Sequence, residues 1–138
     1  MELNLPQYQL ELKNEADKRK IRCLVRRKWL VLTPEEWVRQ HFLNFLFTQN
    51  LVKRSRTAVE YGLEYNGLKK RIDILALDEN GKPNLMVECK APHIALNTKV
   101  ISQIAVYNSK FMVDKLCITN GLKHFWFALE GGKYKQVV

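Results

Sequence analysis

The stretch VEYGLEYNGLKKRIDILALDENGKPNLMVECK, residues 59–90, decides the fold of this chain. Apolar and polar residues alternate over 59–65, which is typical of a strand with one buried face. Asn66-Gly67 is a hairpin turn signal, and it introduces a second, more apolar strand over 68–77. A further turn leads to a third strand over 84–90. The pattern predicts three strands joined by short turns.

The sequence after this stretch combines helix and strand signals. A helical period over 97–111 is followed by short strands over 116–119, 123–129 and 134–138. A helix between the third and fourth strands predicts a parallel crossover. We therefore expect an α/β fold with a mixed central sheet of about five strands, flanked by helices, in a single domain.

The sequence before it contains the clearest helix start. In Thr33-Pro34-Glu35-Glu36, Thr33 can cap the helix, Pro34 suits the first helical position and Glu36 completes a capping box. Apolar residues then recur at helical spacing to about Asn50. These signals predict a long, largely buried helix.

Residues 1–32 form a charged segment ahead of this helix. We expect them to be a basic N-terminal extension that packs on the domain formed by residues 33–138. Short alternating stretches near 8–12 and 21–25 predict two strands, and the apolar run 29–32 leads into the helix.

Composition favours one globular domain with a strong positive charge. The chain has 138 residues, 46% of them hydrophobic, and a net charge of +9. Such a length fits one core, and a compact basic domain attracts nucleic acid. Since there is no membrane-length apolar run and no signal-peptide pattern, we expect a cytoplasmic protein with no membrane partner. Cys23, Cys89 and Cys117 are predicted to be reduced, buried thiols.

Two carboxylates and an ammonium are expected to meet on the predicted sheet. Asp73 lies between two isoleucines on the second strand, where an unpaired acid would be costly. Glu88 and Lys90 are two residues apart at the end of the third strand, so they share a face. Paired carboxylates suit a hard cation such as Mg²⁺, and a nearby lysine can orient an attacking water. The alternative is an ordinary buried ion pair, between Glu88 and Lys90 or between Asp73 and Arg71.

These motifs together resemble the PD-(D/E)xK nuclease superfamily. More narrowly, the chain is similar to the N-terminal nuclease domain of type I restriction enzyme R subunits, in a short stand-alone form, over about residues 29–129. Ile72 stands where the superfamily's name has proline, and there is no G-x-x-x-x-G-K-[ST] loop for an ATP-driven motor. The matching segments are TPEEWVRQ at 33–40, RIDI at 71–74, VECKAP at 87–92, QIAVY at 103–107 and ITNG at 118–121.

The resemblance implies roles for four residues, one on the second strand and three at the end of the third. Asp73 and Glu88 would hold Mg²⁺ or Mn²⁺, with help from the backbone carbonyl of Cys89. Lys90 would position the attacking water. The site would then perform metal-assisted hydrolysis of a phosphodiester.

The resemblance also implies three outlying site residues. Glu36, on the first helix, would be an accessory acid near the metal, unless it serves only the capping box. Gln103 and Tyr107 would lie near the site and the DNA backbone. For Tyr107 the alternative is ordinary core packing.

These expectations converge on an Mg²⁺-dependent DNA endonuclease, or a nuclease component of a restriction or repair system. A catalytically silent nucleic-acid-binding module and a homodimeric interaction protein are the alternatives. DNA is the expected partner, together with a second copy of the chain or a restriction-system subunit. The residues expected to contact DNA are Lys53, Arg54, Arg56, Lys69 and Lys70, with a second basic patch at Arg26, Arg27 and Lys28.

Overall fold

A small antiparallel sheet is formed by the N-terminal part of the chain. Residues 2–137 are described in this computed structural model. The three strands, paired in chain order, are β1 (Leu12–Glu15), β2 (Lys18–Arg22) and β3 (Trp29–Val31). The predicted bounds near 8–12 and 21–25 are wrong, because the hairpin turns at Ala16 and Asp17, with φ of 49° and 63°. This pair gives the positive φ values of a tight hairpin turn without the Asn-Gly signal that marks one in a sequence.

Two helices lie on the central sheet. The first, α1 (Pro34–Thr48), begins where the sequence predicts, and Thr33 Oγ1 accepts a hydrogen bond from the backbone N–H of Glu36 at 3.0 Å. The second, α2 (Thr98–Ser109), is shorter at both ends than the predicted helix. Within residues 2–137, no helix is long and apolar enough to cross a membrane.

The central sheet has six strands, hydrogen-bonded in the order in which they occur in the chain. They are β4 (Thr57–Tyr65), β5 (Leu68–Leu77), β6 (Pro83–Cys89), β7 (Lys115–Thr119), β8 (His124–Glu130) and β9 (Lys133–Val137). All neighbouring strands are antiparallel except β6 and β7, which are parallel and are connected through α2. The predicted mixed sheet with flanking helices is therefore confirmed, with β9 as a sixth strand.

Each face of the sheet has its own apolar core. Successive residues of a strand point to opposite faces, so Ile74 packs in the cluster with α1 and Leu75 in the cluster with α2. Cys23, from the segment before α1, is 1% exposed and belongs to the α1 cluster. The segment before α1 therefore shares a core with the central sheet, while a domain boundary between residues 32 and 33 stays a prediction.

The three cysteines Cys23, Cys89 and Cys117 are free and buried, which confirms the prediction of buried thiols. Burial raises the pKa of the Cys89 thiol well above its usual value. A thiol in that state is a poor nucleophile and a poor metal ligand, since both roles need the thiolate. The cysteine side chains are thus part of the core.

Candidate active site

Asp73 lies where β5 and β6 part. The last paired residues at this end of the two strands are Ile74 and Val87. One position further on, Asp73 Oδ2 accepts a hydrogen bond from the backbone N–H of Cys89 at 2.8 Å. Burial raises the pKa of Asp73 to about 6, against the opposing effect of that N–H and of a nearby guanidinium. This carboxyl group therefore has an unusually high affinity for a proton.

Glu88, on β6, is surrounded by cations and an amide. Lys70 Nζ lies 2.5 Å from Glu88 Oε1, and Lys90 Nζ lies 3.3 Å from Oε2. The buried Asn108 of α2 donates to Oε1 at 3.5 Å. Burial alone would raise the pKa of Glu88, but the ion pairs with Lys70 and Lys90 outweigh burial and lower it. Glu88 is therefore held as a carboxylate.

Asp73 and Glu88 interact electrostatically, and different groups lie beside each of them. The charge of Glu88 contributes to the raised pKa of Asp73. The guanidinium beside Asp73 comes from Arg39 of α1, whereas the amide beside Glu88 comes from Asn108 of α2. The pair thus lies where β5 and β6 separate, between groups from the two helices.

Lys90 follows directly on β6. Its backbone N–H donates to the carbonyl of Thr119 at 2.8 Å, which extends the pairing with β7 by one residue. Its side chain is 36% exposed, and its ammonium lies 3.3 Å from Oε2 of Glu88. Because an ammonium has three N–H donors, this group can donate to a water or a phosphate as well as pair with Glu88.

Glu36 is buried on the inner face of α1 at 5% exposure. Its Oε2 accepts hydrogen bonds from Arg39 Nε at 2.9 Å and from Gln40 Nε2 at 2.8 Å, and its Oε1 pairs with the same guanidinium. The carboxylate thus turns along the helix, away from Thr33. Only the Thr33 half of the predicted capping box is formed.

Arg39 is a site residue that the sequence did not reveal. Its guanidinium pairs with Glu36 and lies 3.4 Å from Asp73 Oδ1 and 3.6 Å from Glu60 Oε1. Burial alone would lower its pKa, but these three carboxylates together raise it. The only sequence signal was an arginine three residues after Glu36, on the inner face of a largely buried helix.

Glu60 is a second residue that sequence reasoning missed. It lies in β4 with a φ of 49°, and the β4–β5 pairing passes from Val59 to Tyr61 without it. Its Oε1 lies 3.1 Å from Arg26 Nη1, in addition to the contact with Arg39. A non-glycine residue with positive φ inside a strand is uncommon and marks local strain.

Gln103 and Tyr107 are both exposed on α2, although Tyr107 faces the site. Tyr107 is 39% exposed, which disfavours core packing as its role, and Lys70 Nζ lies 5.2 Å from its ring centroid. Lys110 lies over the same ring at 5.5 Å. In the described part of the chain, Gln103 forms no side-chain hydrogen bond with the residues around Glu88. Its role stays a prediction.

The five lysines and arginines predicted to contact DNA occupy different environments. Lys70 is at the site, whereas its neighbour Lys69 has a 77% exposed side chain near Glu64. Arg54 Nη1 donates to the carbonyl of Leu24 at 2.7 Å. Arg56 donates to Leu77 at 3.4 Å, and Lys53 is exposed. Contact of these residues with DNA stays a prediction.

One protein family matches the chain by sequence. The family described as "Type I restriction enzyme R protein N terminus" matches residues 34–138. No curated protein and no solved structure matches. The matched segment includes α1, the six-stranded sheet and the side chains of Asp73, Glu88 and Lys90. The chain therefore belongs to the family of type I restriction enzyme R protein N-terminal domains, whose members serve nuclease-like roles in restriction systems.

Proposed function

We propose that this protein is a divalent-cation-dependent nuclease that hydrolyses phosphodiester bonds of DNA in a restriction system. The main support is the position of Asp73 and Glu88 on neighbouring strands, with the Lys90 ammonium beside Glu88. Family membership supports a nuclease-like role and DNA as the substrate. A partner subunit or a second copy of the chain belongs to the same proposal.

The donor chemistry of the site suits Mg²⁺ or Mn²⁺. Both ions prefer oxygen ligands, and Mg²⁺ is commonly bound through one or two carboxylates with waters and substrate phosphates. Asp73 and Glu88 would hold the ion, with the carbonyl of Cys89 as a further oxygen. Among residues 2–137, no three His, Cys, Asp or Glu side chains form a metal-binding group, so waters and phosphate would complete the coordination. When bound, such a cation supplies Lewis-acid stabilisation of the charge on the phosphate.

The side chains around the carboxylates would orient the reactants. Lys90, held beside Glu88 by an ion pair, would orient a water toward the phosphorus. Lys70 and Asn108 would fix the rotamer of Glu88, and Arg39 would fix that of Asp73. Glu36 would act through Arg39, since its carboxylate is occupied by that guanidinium and by Gln40.

The alternative is a nucleic-acid-binding module without catalytic activity, and one observation favours it. Each acid already has a cationic partner, namely Arg39 for Asp73, and Lys70 with Lys90 for Glu88. Such ion pairs can keep buried carboxylates satisfied without a metal. A module of this kind would still bind DNA through its positive charge.

Cleavage of supercoiled plasmid separates the two proposals. A nuclease should nick the plasmid with Mg²⁺ or Mn²⁺ and lose activity in EDTA. Asp73→Asn should abolish nicking, whereas Lys123→Ala, at an exposed turn, should retain it. Titration with Mn²⁺ should show a binding site that Asp73→Asn removes. A wild-type protein that never nicks plasmid with either cation, even with cell extract added to supply a partner subunit, would favour the binding module.

A further inference from the structure

A tight turn in the segment before α1 presents three basic residues in succession. The backbone N–H of Cys23 donates to the carbonyl of Lys28, and that of Arg27 donates to the carbonyl of Cys23, at 2.9 and 3.0 Å. The buried Cys23 Sγ also accepts from the backbone N–H of Arg26 at 3.4 Å. Arg27 has a φ of 55°, so the turn holds this arginine in a conformation that non-glycine residues rarely adopt.

This turn forms one wall of a positively charged cavity. The cavity has a volume of about 380 Å³, and its charged lining consists of Arg22, Arg27, Arg54 and Glu11. We call it the arginine cavity. Glu11 Oε2 lies 3.4 Å from Arg22 Nε. The cavity lining therefore contains one carboxylate and three guanidinium groups. Tyr8, 42% exposed, provides an aromatic wall.

Two of the three guanidinium groups are held in position by the protein. Arg54 Nη1 donates to the carbonyl of Leu24 at 2.7 Å, and its guanidinium lies 4.4 Å from the ring centroid of Phe47. The guanidinium of Arg22 lies 5.8 Å from the ring of Trp29. Preorganised guanidinium groups lose little conformational entropy when they bind an anion, and their planar fork matches a phosphate group.

A chain of ion pairs links the turn to the candidate active site. Arg26 lies 3.1 Å from Glu60, and Arg39 lies 3.6 Å from Glu60 and 3.4 Å from Asp73. Arg26, the first residue of this series of ion pairs, directly precedes Arg27, which lines the arginine cavity. The turn that lines the cavity is therefore connected to Asp73 through Arg26, Glu60 and Arg39.

A second link fixes the same turn against α1. The backbone N–H of Leu24 donates to Gln40 Oε1 at 2.9 Å, and Gln40 Nε2 donates to Glu36 at 2.8 Å. Gln40 is fully buried, so this connection is shielded from water. The turn that lines the arginine cavity is thus connected to the candidate active site by two separate sets of contacts.

We infer that the arginine cavity binds a phosphate group of the nucleic acid substrate. This inference rests on the proposed function and adds to it the place where the substrate is held. The turn and the cavity residues Tyr8, Glu11, Arg22 and Arg27 precede residues 34–138, the part that matches the family. The segment before α1 thus contributes most of the cavity lining, and Arg54 comes from the matched part. The ring of Tyr8 offers a surface on which the adjoining base can stack.

The test measures binding without catalysis, in EDTA, with fluorescently labelled oligonucleotides. Arg27→Gly removes the guanidinium, and glycine readily adopts the positive φ of this position. Arg54→Lys keeps the positive charge but loses the planar guanidinium that can donate two parallel hydrogen bonds. We expect each to weaken binding about tenfold, the scale of one charge-assisted hydrogen bond. Lys28→Ala is the matched control, because it removes the same charge from the same turn outside the cavity lining. It should weaken binding clearly less than Arg27→Gly.

Two further measurements identify the kind of phosphate that is bound and test whether positive charge in the cavity drives binding. If a 5′-phosphate strengthens wild-type binding but not that of Arg27→Gly, the cavity holds a terminal phosphate. If 5′-phosphorylation has no effect while Arg27→Gly still weakens binding, it holds an internal phosphodiester. Glu11→Gln should strengthen binding, because it removes the only carboxylate among the cavity's charged residues.

Two results would overturn the inference. One is equal affinity of Arg27→Gly, Lys28→Ala and wild type, with thermal melts that show all three folded. The other is absence of binding by the wild type at low salt. A protein that binds through the cavity but nicks no plasmid would leave this inference intact and refute the nuclease proposal instead.

Discussion

Lys70 Nζ lies 2.5 Å from Glu88 Oε1, and the same ammonium lies 5.2 Å from the ring centroid of Tyr107. The sequence grouped Lys70 with Lys69 as a DNA contact, but the two side chains differ in environment. The Lys70 side chain is 22% exposed and that of Lys69 is 77% exposed. Lys70 is therefore paired with Glu88 at the candidate site, while Lys69 faces solvent.

This difference makes Lys70 and Lys69 a matched pair for mutation. Lys70→Ala should lower kcat for plasmid cleavage by about tenfold or more, because Glu88 loses the cation that fixes its rotamer. Lys69→Ala removes the same charge and should change only the affinity for DNA and its salt dependence. Equal effects of the two substitutions on kcat would contradict a positioning role for Lys70.

Lys90 should matter to the chemical step more than to binding. If it orients the attacking water, its contribution belongs to the transition state. Lys90→Ala and Lys90→Met should each reduce cleavage about a hundredfold or more, the usual scale for a positioned acid–base group. Gel-shift affinity should change little, since one positive charge among 23 is lost. A loss confined to affinity, with the cleavage rate at saturation unchanged, would contradict this role.

Arg39 should be important for folding as well as for the site. Arg39→Ala would leave the carboxylate of Glu36, which is 5% exposed, without its guanidinium partner. Breaking a buried ion pair on one side costs about 3–5 kcal/mol, and urea unfolding should show a loss of that size. The double variant Glu36→Gln with Arg39→Met should recover part of it, because neither charge is then buried alone. A single-variant loss below about 1 kcal/mol would argue that water replaces the guanidinium.

Because of Asp73, the free energy of unfolding should fall as pH rises from about 4 to about 6. Its pKa is raised from 3.8 to about 6 in the folded state, mainly by burial. Over that interval the unfolded chain has lost the proton and the folded chain retains it, so the free energy of unfolding falls with increasing pH. The full effect corresponds to about 3 kcal/mol.

Asp73→Asn should remove this pH dependence. Without added metal at pH 7, the variant should be more stable than wild type by about 1–3 kcal/mol, and the difference should vanish near pH 3.5. Urea unfolding at a series of pH values measures both. Asp114→Asn, which removes one exposed carboxylate, controls for net charge. A variant less stable than wild type at pH 7 would show that the acid stabilises the fold.

The elements that the sequence predicted best are those with local signals. Thr33 and Pro34 mark the start of α1 because capping and proline geometry are properties of the chain within one turn. The alternation before Asn66-Gly67 predicts β4 and β5 for the same reason. The strands of the N-terminal sheet were predicted poorly, since the Ala16 and Asp17 turn adopts positive φ without the residues that usually signal it.

The site was predicted in part. Glu88 and Lys90 lie at or just beyond the end of β6, and Asp73 lies on the adjoining β5, so their neighbourhood followed from the predicted hairpins. Arg39 and Glu60 were missed because their contacts to Asp73 and to Arg26 span 34 residues each. No periodicity or spacing reports on an ion pair between elements so far apart.

The sequence by itself determined the mixed sheet, the helix that begins after Thr33, the excess of positive charge, and the placement of the acids and the lysine on β5 and at the end of β6. These follow from short-range sterics, from alternation of apolar residues and from charge, which are properties of neighbouring residues. Only the tertiary structure decided which cation lies beside which carboxylate, and that the turn at residues 23–28 reaches the site through Arg26 and Glu60. Packing of α1 on the sheet brings these groups within a few ångströms of one another. At that distance, in a partly desolvated environment, charge interactions are strong enough to orient each group and, together with burial, to set its protonation.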